Sequence, residues 1–363
     1  MSKLRKLFIY ICASVSVTSY VACDKPGGEY ILPPYTVPTF TNPVTGPSLL
    51  NPSVLRTWDG WFYAYGSEEN WIGSGGNRLM PVLKSSDLIN WTYERNVFST
   101  RPTWRSGTLS SPEVIEINKR PHIYYTFGNV TDINVSIGVG LSFNPAGAFT
   151  DREDLEEMGD KPGNLLDIDS TNIADPRHPF YYEDIANKTK HLFWNSANAG
   201  DDAAVYSIKL TDNGLRILDF TAFKKIASGA LEGITIHKRA NYYYLFGTKV
   251  NGSNSTIVVG RATNLLGPYL DKSGKDLLDI SAGTVFVEEG EVFRSPGHTT
   301  RIFTDKDNSD WIMFHAVDKR DPTFSNNVEK KPLILVRVNW NNEWPEPVAE
   351  YLTEKELTGP NFY

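Results

Sequence analysis

Five times along this chain an apolar strand, a turn of charged or Gly/Asn residues and an aromatic strand follow one another in the same order. That repetition constrains the fold more than any other feature. The copies run from Val54 through Trp58-Asp59-Gly60 to Gly66, from Val114 to Gly128, from Phe180 to Trp194, from Ile234 to Gly247 and from Thr300 to His315. Each carries the alternation and turn residues of a β-hairpin. Further strands follow the hairpins, within 79–84, 136–141, 256–262 and 333–338. A hairpin with one or two more strands is one four-stranded sheet, and five such sheets around an axis form a propeller. A period of about 60 residues is too long for a β-helix coil and too regular for a β-sandwich. The expected class is therefore all-β, a five-bladed β-propeller.

The repeat also points to a site. Just before the innermost strand of successive copies stand Asn51, Glu113, Asp175, Glu232 and His298. Equivalent points of a propeller converge on its axis, so these polar side chains are expected to face one another at one end of the channel. Singly, Pro, Gly and Asp before a strand make turns; five polar residues in register read as a site. Paired carboxyls in a sugar-sized cleft suit glycoside hydrolysis, one donating a proton to the leaving oxygen and the other activating water or attacking carbon. An aromatic content of 12% supplies ring faces that stack on sugars.

Composition removes other classes. With 40% hydrophobic residues the chain is too apolar for disorder. A formal charge of −7, with no lysine or arginine block, argues against nucleic acid as a partner. The two cysteines, Cys12 and Cys23, precede the repeats, so no disulfide or thiolate metal framework holds the body. None of the six histidines forms a zinc signature.

The N-terminus reads as an address. Lys3, Arg5 and Lys6 precede a mostly apolar stretch to Ala22, the layout of a secretory signal. Tyr20-Val21-Ala22-Cys23 resembles a bacterial lipoprotein signal, with residues 1–22 removed and Cys23 lipidated; plain secretion is the alternative reading. Residues 23–45, with Pro26, Pro33, Pro34, Pro38 and Pro43, then form an extended tether before a domain at 46–363. A monomer outside the cytoplasm, on the outer membrane or cell surface and touching lipid only through Cys23, is the expected state.

Ordered motifs between residue 51 and about residue 345 resemble glycoside hydrolase family 43, the propeller arabinanases, arabinofuranosidases and xylosidases. Asn51-Pro52-Ser53-Val54-Leu55-Arg56 stands for that family's Asp-Pro-Ser-Val-Ile-Arg, Ser111-Pro112-Glu113-Val114 for Ala-Pro-Glu-Val, and Ala174-Asp175-Pro176 for Ile-Asp-Pro. Glu232-Gly233-Ile234 with Lys238-Arg239, Pro296-Gly297-His298, and Trp311 to Ala316 continue the match. The resemblance implies cleavage of arabinose- or xylose-containing polysaccharide, with Glu232 as general acid and Asp175 orienting it and raising its pKa. It also implies a calcium or sodium ion near His298. Glu113, Trp104 and Arg337 are the expected substrate contacts.

The chain departs from that family at the base. Asn51 occupies the aspartate's position, and a neutral amide takes no proton at ordinary pH. Three readings follow: an enzyme with another base, Glu113 being the first candidate; an enzyme like the exo-1,3-galactanases, which work without the carboxylate base; or a propeller that binds glycan without cutting it. Ser110-Ser111 in place of the usual Trp-Ala also removes a stacking wall.

Overall fold

In a computed structural model the five repeats become five antiparallel sheets that succeed one another along the chain. The structure describes residues 36–129, 135–151, 163–196, 203–229 and 231–363; the signal 1–22, Cys12, Cys23 and the tether as far as residue 35 lie outside them. Blade one contains Ser53–Arg56, Phe62–Tyr65, Pro81–Ser85 and Thr92–Asn96. Blade two contains Thr108–Ile117, Arg120–Gly128 and Ser136–Leu141, whose free edge takes both Thr150–Asp151 and Asn164–Leu166. Blade three runs Pro176–Asp184, Thr189–Ser196, Ala204–Leu210, Lys224–Ser228, and blade four Leu231–Arg239, Tyr242–Asn251, Asn254–Ala262, Thr284–Val287. Blade five consists of Phe293–Thr299, Asp310–Asp318, Leu333–Asn341 and Trp344–Pro347. The arrangement is a five-bladed propeller.

A blade is covered on both faces by its neighbours, so its second strand has no solvent face and reads as a continuous apolar and aromatic run. In Asp310–Asp318 every residue is buried. The recurring aromatics meet across each blade boundary. Tyr65 packs on Phe149 (6.3 Å between ring centroids), Tyr124 on Tyr181 (6.0 Å), Tyr182 on Tyr243 (6.0 Å), Tyr244 on Trp340 (4.8 Å) and Phe303 on Phe62 (5.3 Å). Such a pair contributes about 0.5–1.5 kcal/mol beyond the area it buries. The aromatic repeat is thus first a packing code.

Closure uses the segment before blade one. Thr39–Phe40 pairs antiparallel with Leu357–Thr358. Buried Asn42 imitates a strand residue: its Oδ1 accepts from Leu335 N (2.9 Å), while Nδ2 donates to Leu335 O (2.8 Å) and Tyr351 O (2.7 Å). Val44 N and Leu49 N donate to Leu333 O and Lys331 O. The tether expected to reach residue 45 therefore ends earlier, because 39–45 finds backbone partners on Leu357–Thr358 and on blade five. The stretch 69–78 likewise forms a small hairpin, Glu69–Trp71 against Gly76–Arg78.

Candidate active site at the propeller axis

Each inner strand is bent by a residue in the left-handed region as it reaches the axis. These residues are Asn51 (φ 52°), Ser111 (48°), His178 (51°), Gly233 (52°) and His298 (47°). In blades two to five the pairing register shifts across that residue, a β-bulge. A bulge re-aims the side chains around it, and Asn and His tolerate this conformation better than most residues. At Gly233 a Cβ would be built into the His298 imidazole, so only glycine fits there. The ring in register is therefore Asn51, Ser111, His178, Gly233 and His298. This corrects the expected ring of Asn51, Glu113, Asp175, Glu232 and His298: counting from strand starts misses the bulges. Asn-Pro, Ser-Pro and His-Pro at 51, 111 and 178 were the signal that marks the true register.

Above the ring, where the inner strands begin, lies a cavity of about 360 Å³ lined among others by Asn51, Glu68, Ser110, Arg177, His178, Glu232, His298, His315 and Lys331. Glu232 and Glu68 are the two carboxylates in that lining. Glu68 is held by Arg101 and accepts from Leu109 N (3.1 Å). Glu232 has no hydrogen-bond donor in reach among the described residues; His178 Nε2 stands 3.9 Å from its Oε2. Burial pushes the Glu232 pKa up; Arg177 pulls it down, Asp175 raises it and Lys331 lowers it. A carboxyl inclined to keep its proton and not tied to a donor is chemically a proton donor. Asp175 does not line the cavity. It is buried and paired with Arg177, and acts on Glu232 from behind that cation.

Three imidazoles meet at the axis: His178 against His298 (4.5 Å, edge-on) and His298 against His315 (5.4 Å, stacked). Burial drives all three pKa values down, that of His178 to about 3, so they are neutral at pH 7. Asn51 N donates to His315 Nδ1 (3.1 Å), and Asn51 Nδ2 donates to Ser111 Oγ (3.1 Å), which lies 2.6 Å from His178 Nδ1. In the sequence Ser111 and His315 stand out only as motif residues, and His178, Glu68 and Lys331 not at all.

Glu113 belongs to a level below. It stands beside Ser53, lining a narrow channel of about 30 Å³, where it pairs with Arg301 and accepts from Ser53 Oγ (3.1 Å) and Tyr181 N (3.2 Å). It is not among the cavity's lining residues. Neither are Trp104 and Arg337. Trp104 packs edge-on to Phe127 (5.1 Å) within blade two, and Arg337 faces Trp311 across the strands of blade five. No Trp, Tyr or Phe lines the cavity among the described residues.

The calcium expected at His298 can be tested against the donors present. His178, Glu232 and His298 offer one ligand atom each within 4.8 Å of one another. Calcium takes six to eight oxygens. These residues supply one carboxylate oxygen, so water would have to complete the set, and no step is routed through a metal.

Comparison with known proteins agrees with this architecture. The family profile described as Glycosyl hydrolases family 43 matches residues 40–345. The extracellular endo-α-(1→5)-L-arabinanase 1 of Bacillus subtilis is 27% identical over 311 residues, covering 82% of this chain and 87% of that protein. The extracellular exo-α-(1→5)-L-arabinofuranosidase of Cellvibrio japonicus is 25% identical over 340 residues, covering 85% and 87%. Among solved structures, a Cellvibrio cellulosa α-L-arabinanase complexed with arabinohexaose superimposes with a TM-score of 0.67 at 20% identity, over 84% of this chain and 97% of that one. The native arabinanase of Bacillus subtilis gives 0.64 at 23%, over 83% and 98%. At those identities the superpositions show the fold.

Proposed function

The chain belongs to glycosyl hydrolases family 43, and from that premise we propose that it cleaves arabinose-containing polysaccharide or oligosaccharide, of the α-1,5-linked kind, with Glu232 as general acid. The observation that carries this reading is the Glu232 carboxyl: it lines the cavity, its pKa is raised by burial, and no described donor ties it down. In the proposed reaction Glu232 gives its proton to the leaving glycosidic oxygen as the bond to the anomeric carbon breaks. Burial is the main reason the Glu232 pKa is raised, Arg177 opposes it, and the Asp175 charge adds to the rise. The relatives' names supply the sugar and linkage.

A glycan-binding propeller without turnover is the competing reading, favoured by the amide at position 51. Chromatography of products released by the purified chain from arabinan, arabinoxylan and galactan separates the two. Arabinose or arabino-oligosaccharides from arabinan are expected; binding to arabinan without any product overturns the hydrolase reading for this chain.

We also propose that the protein works outside the cytoplasm as a monomer anchored by lipid on Cys23. The support is the signal-like run ending in Ala22-Cys23 and the extracellular relatives. Several acyl chains on one residue make such attachment stable. Cys23→Ser is expected to move the protein from the membrane fraction to the soluble fraction, and a membrane-bound variant would end the lipoprotein reading.

A further inference from the structure

We propose that Asn51 sets the tautomer of His178 through Ser111, so that His178 presents Nε2–H toward the Glu232 carboxyl and is a positioning residue for it. The significance of that contact rests on Glu232 being the acid; the tautomer itself does not.

The direction of the relay follows from counting hydrogens. Asn51 Nδ2 is only a donor, and it donates to Ser111 Oγ at 3.1 Å. Ser111 is buried at 4% exposure, and leaving its hydroxyl hydrogen unpartnered there is unfavourable. Among the described residues the one acceptor left for its hydrogen is His178 Nδ1, 2.6 Å away. His178 is a neutral imidazole, its pKa lowered to about 3 by burial and by Arg177, so a hydrogen received at Nδ1 places the ring's own hydrogen on Nε2. Nε2 lies 3.9 Å from Glu232 Oε2, a separation that small rotations close once substrate is seated. A donor at that position favours the carboxylate that remains after Glu232 has delivered its proton.

An aspartate at position 51 would reverse every link. A carboxylate only accepts, so it takes the Ser111 hydrogen; Ser111 Oγ then accepts from His178 Nδ1, and a bare Nε2 faces Glu232. That lone pair holds the acid's proton back. Asn51→Asp thus does two opposing things: it supplies a base and it weakens the acid. The amide is part of the acid's machinery, beyond being an absent base.

The test uses the full chain labelled with ¹⁵N-histidine, at neutral pH, in long-range ¹H–¹⁵N spectra, with His178 assigned by its loss in His178→Gln. The expected result is Nε2–H in the wild type and Nδ1–H in Asn51→Asp, with Asn51→Asp/Ser111→Ala matching Ser111→Ala alone. Nδ1–H in the wild type, or the same tautomer with and without the aspartate, overturns the proposal. Should Ser111→Ala fail to fold, the comparison of wild type with Asn51→Asp decides alone. These spectra need no turnover, so a protein that cuts no glycan would sink the hydrolase reading and leave this test standing. With activity, Asn51→Asp is expected to raise kcat at least tenfold more on an activated aryl arabinoside than on arabinan. Equal gains on both substrates would break the link between His178 and Glu232.

Discussion

Glu113 and Glu232 both reach the propeller axis from inner strands and both are pushed upward in pKa by burial, yet their surroundings differ in every other respect. Glu113 is fully enclosed by Arg301, Ser53 and the Tyr181 amide, and Arg301 itself lies over the Phe180 ring (4.6 Å) while donating to Tyr181 O (2.6 Å). Each of its donors opposes the upward push of burial, and the cluster rivets blades one, two, three and five together. Glu232 sits one level higher on an open cavity wall with none of these donors. The contrast teaches that a buried glutamate near an axis is not by that fact an active group. A carboxyl held by three donors stabilises; one with a raised pKa and an open face can react.

Breaking the upper carboxyl tests the contrast most strongly. Glu232→Gln is expected to lower kcat by about 10²–10⁴-fold on arabinan, with a smaller loss on an aryl arabinoside whose leaving group needs no proton. Equal loss on both would show that Glu232 is not the acid. Binding, measured calorimetrically, should survive because the amide keeps the shape.

At the lower carboxyl the expected loss is in stability. Glu113→Gln leaves the Arg301 charge in the channel wall without its counter-ion, a change that costs about 3–5 kcal/mol in buried pairs. The Arg301 side chain is 25% exposed, which places the effect near the low end of that range. The denaturation midpoint is the readout; an unchanged midpoint accompanied by a rise in KM would return Glu113 to the substrate contacts.

A smaller effect sharpens the upper site. Glu232 must be protonated to act, so the alkaline limb of kcat/KM follows its pKa. Asp175→Asn removes a like charge and takes one counter-ion from the Arg177 cation, and both changes move that limb to lower pH. Arg177→Met removes an opposing charge and moves it to higher pH. Limbs that shift together in one direction would contradict the arrangement of Asp175 behind Arg177.

Much of the fold was legible because the repeat is itself the structure. The third-strand segment read at 136–141 coincides with Ser136–Leu141, and the one at 333–338 starts where Leu333–Asn341 does. Less of the site was legible. Glu232, marked by its motif, lines the cavity, but Glu113 and Asp175 do not, since left-handed bulges at Ser111 and His178 shift the register and leave no trace in hydrophobic alternation. The aromatic residues misled in another way. A composition that suits sugar stacking also suits blade packing, and rings such as Tyr65, Tyr124, Tyr181 and Tyr244 serve the second use.

The clasp between Thr39–Phe40 and Leu357–Thr358 has a kinetic meaning. The two partners are almost the whole domain apart in sequence, so the contact that seals the circle joins the domain's first strand to its last. Blades one to four have their strands in hand while the chain is still emerging, but Asn42 and Val44 must wait for Leu335 and Leu333. Until then blade one exposes an uncovered face. Loop closure over so long a span is slow, so the nascent protein spends its most vulnerable interval as an open arc.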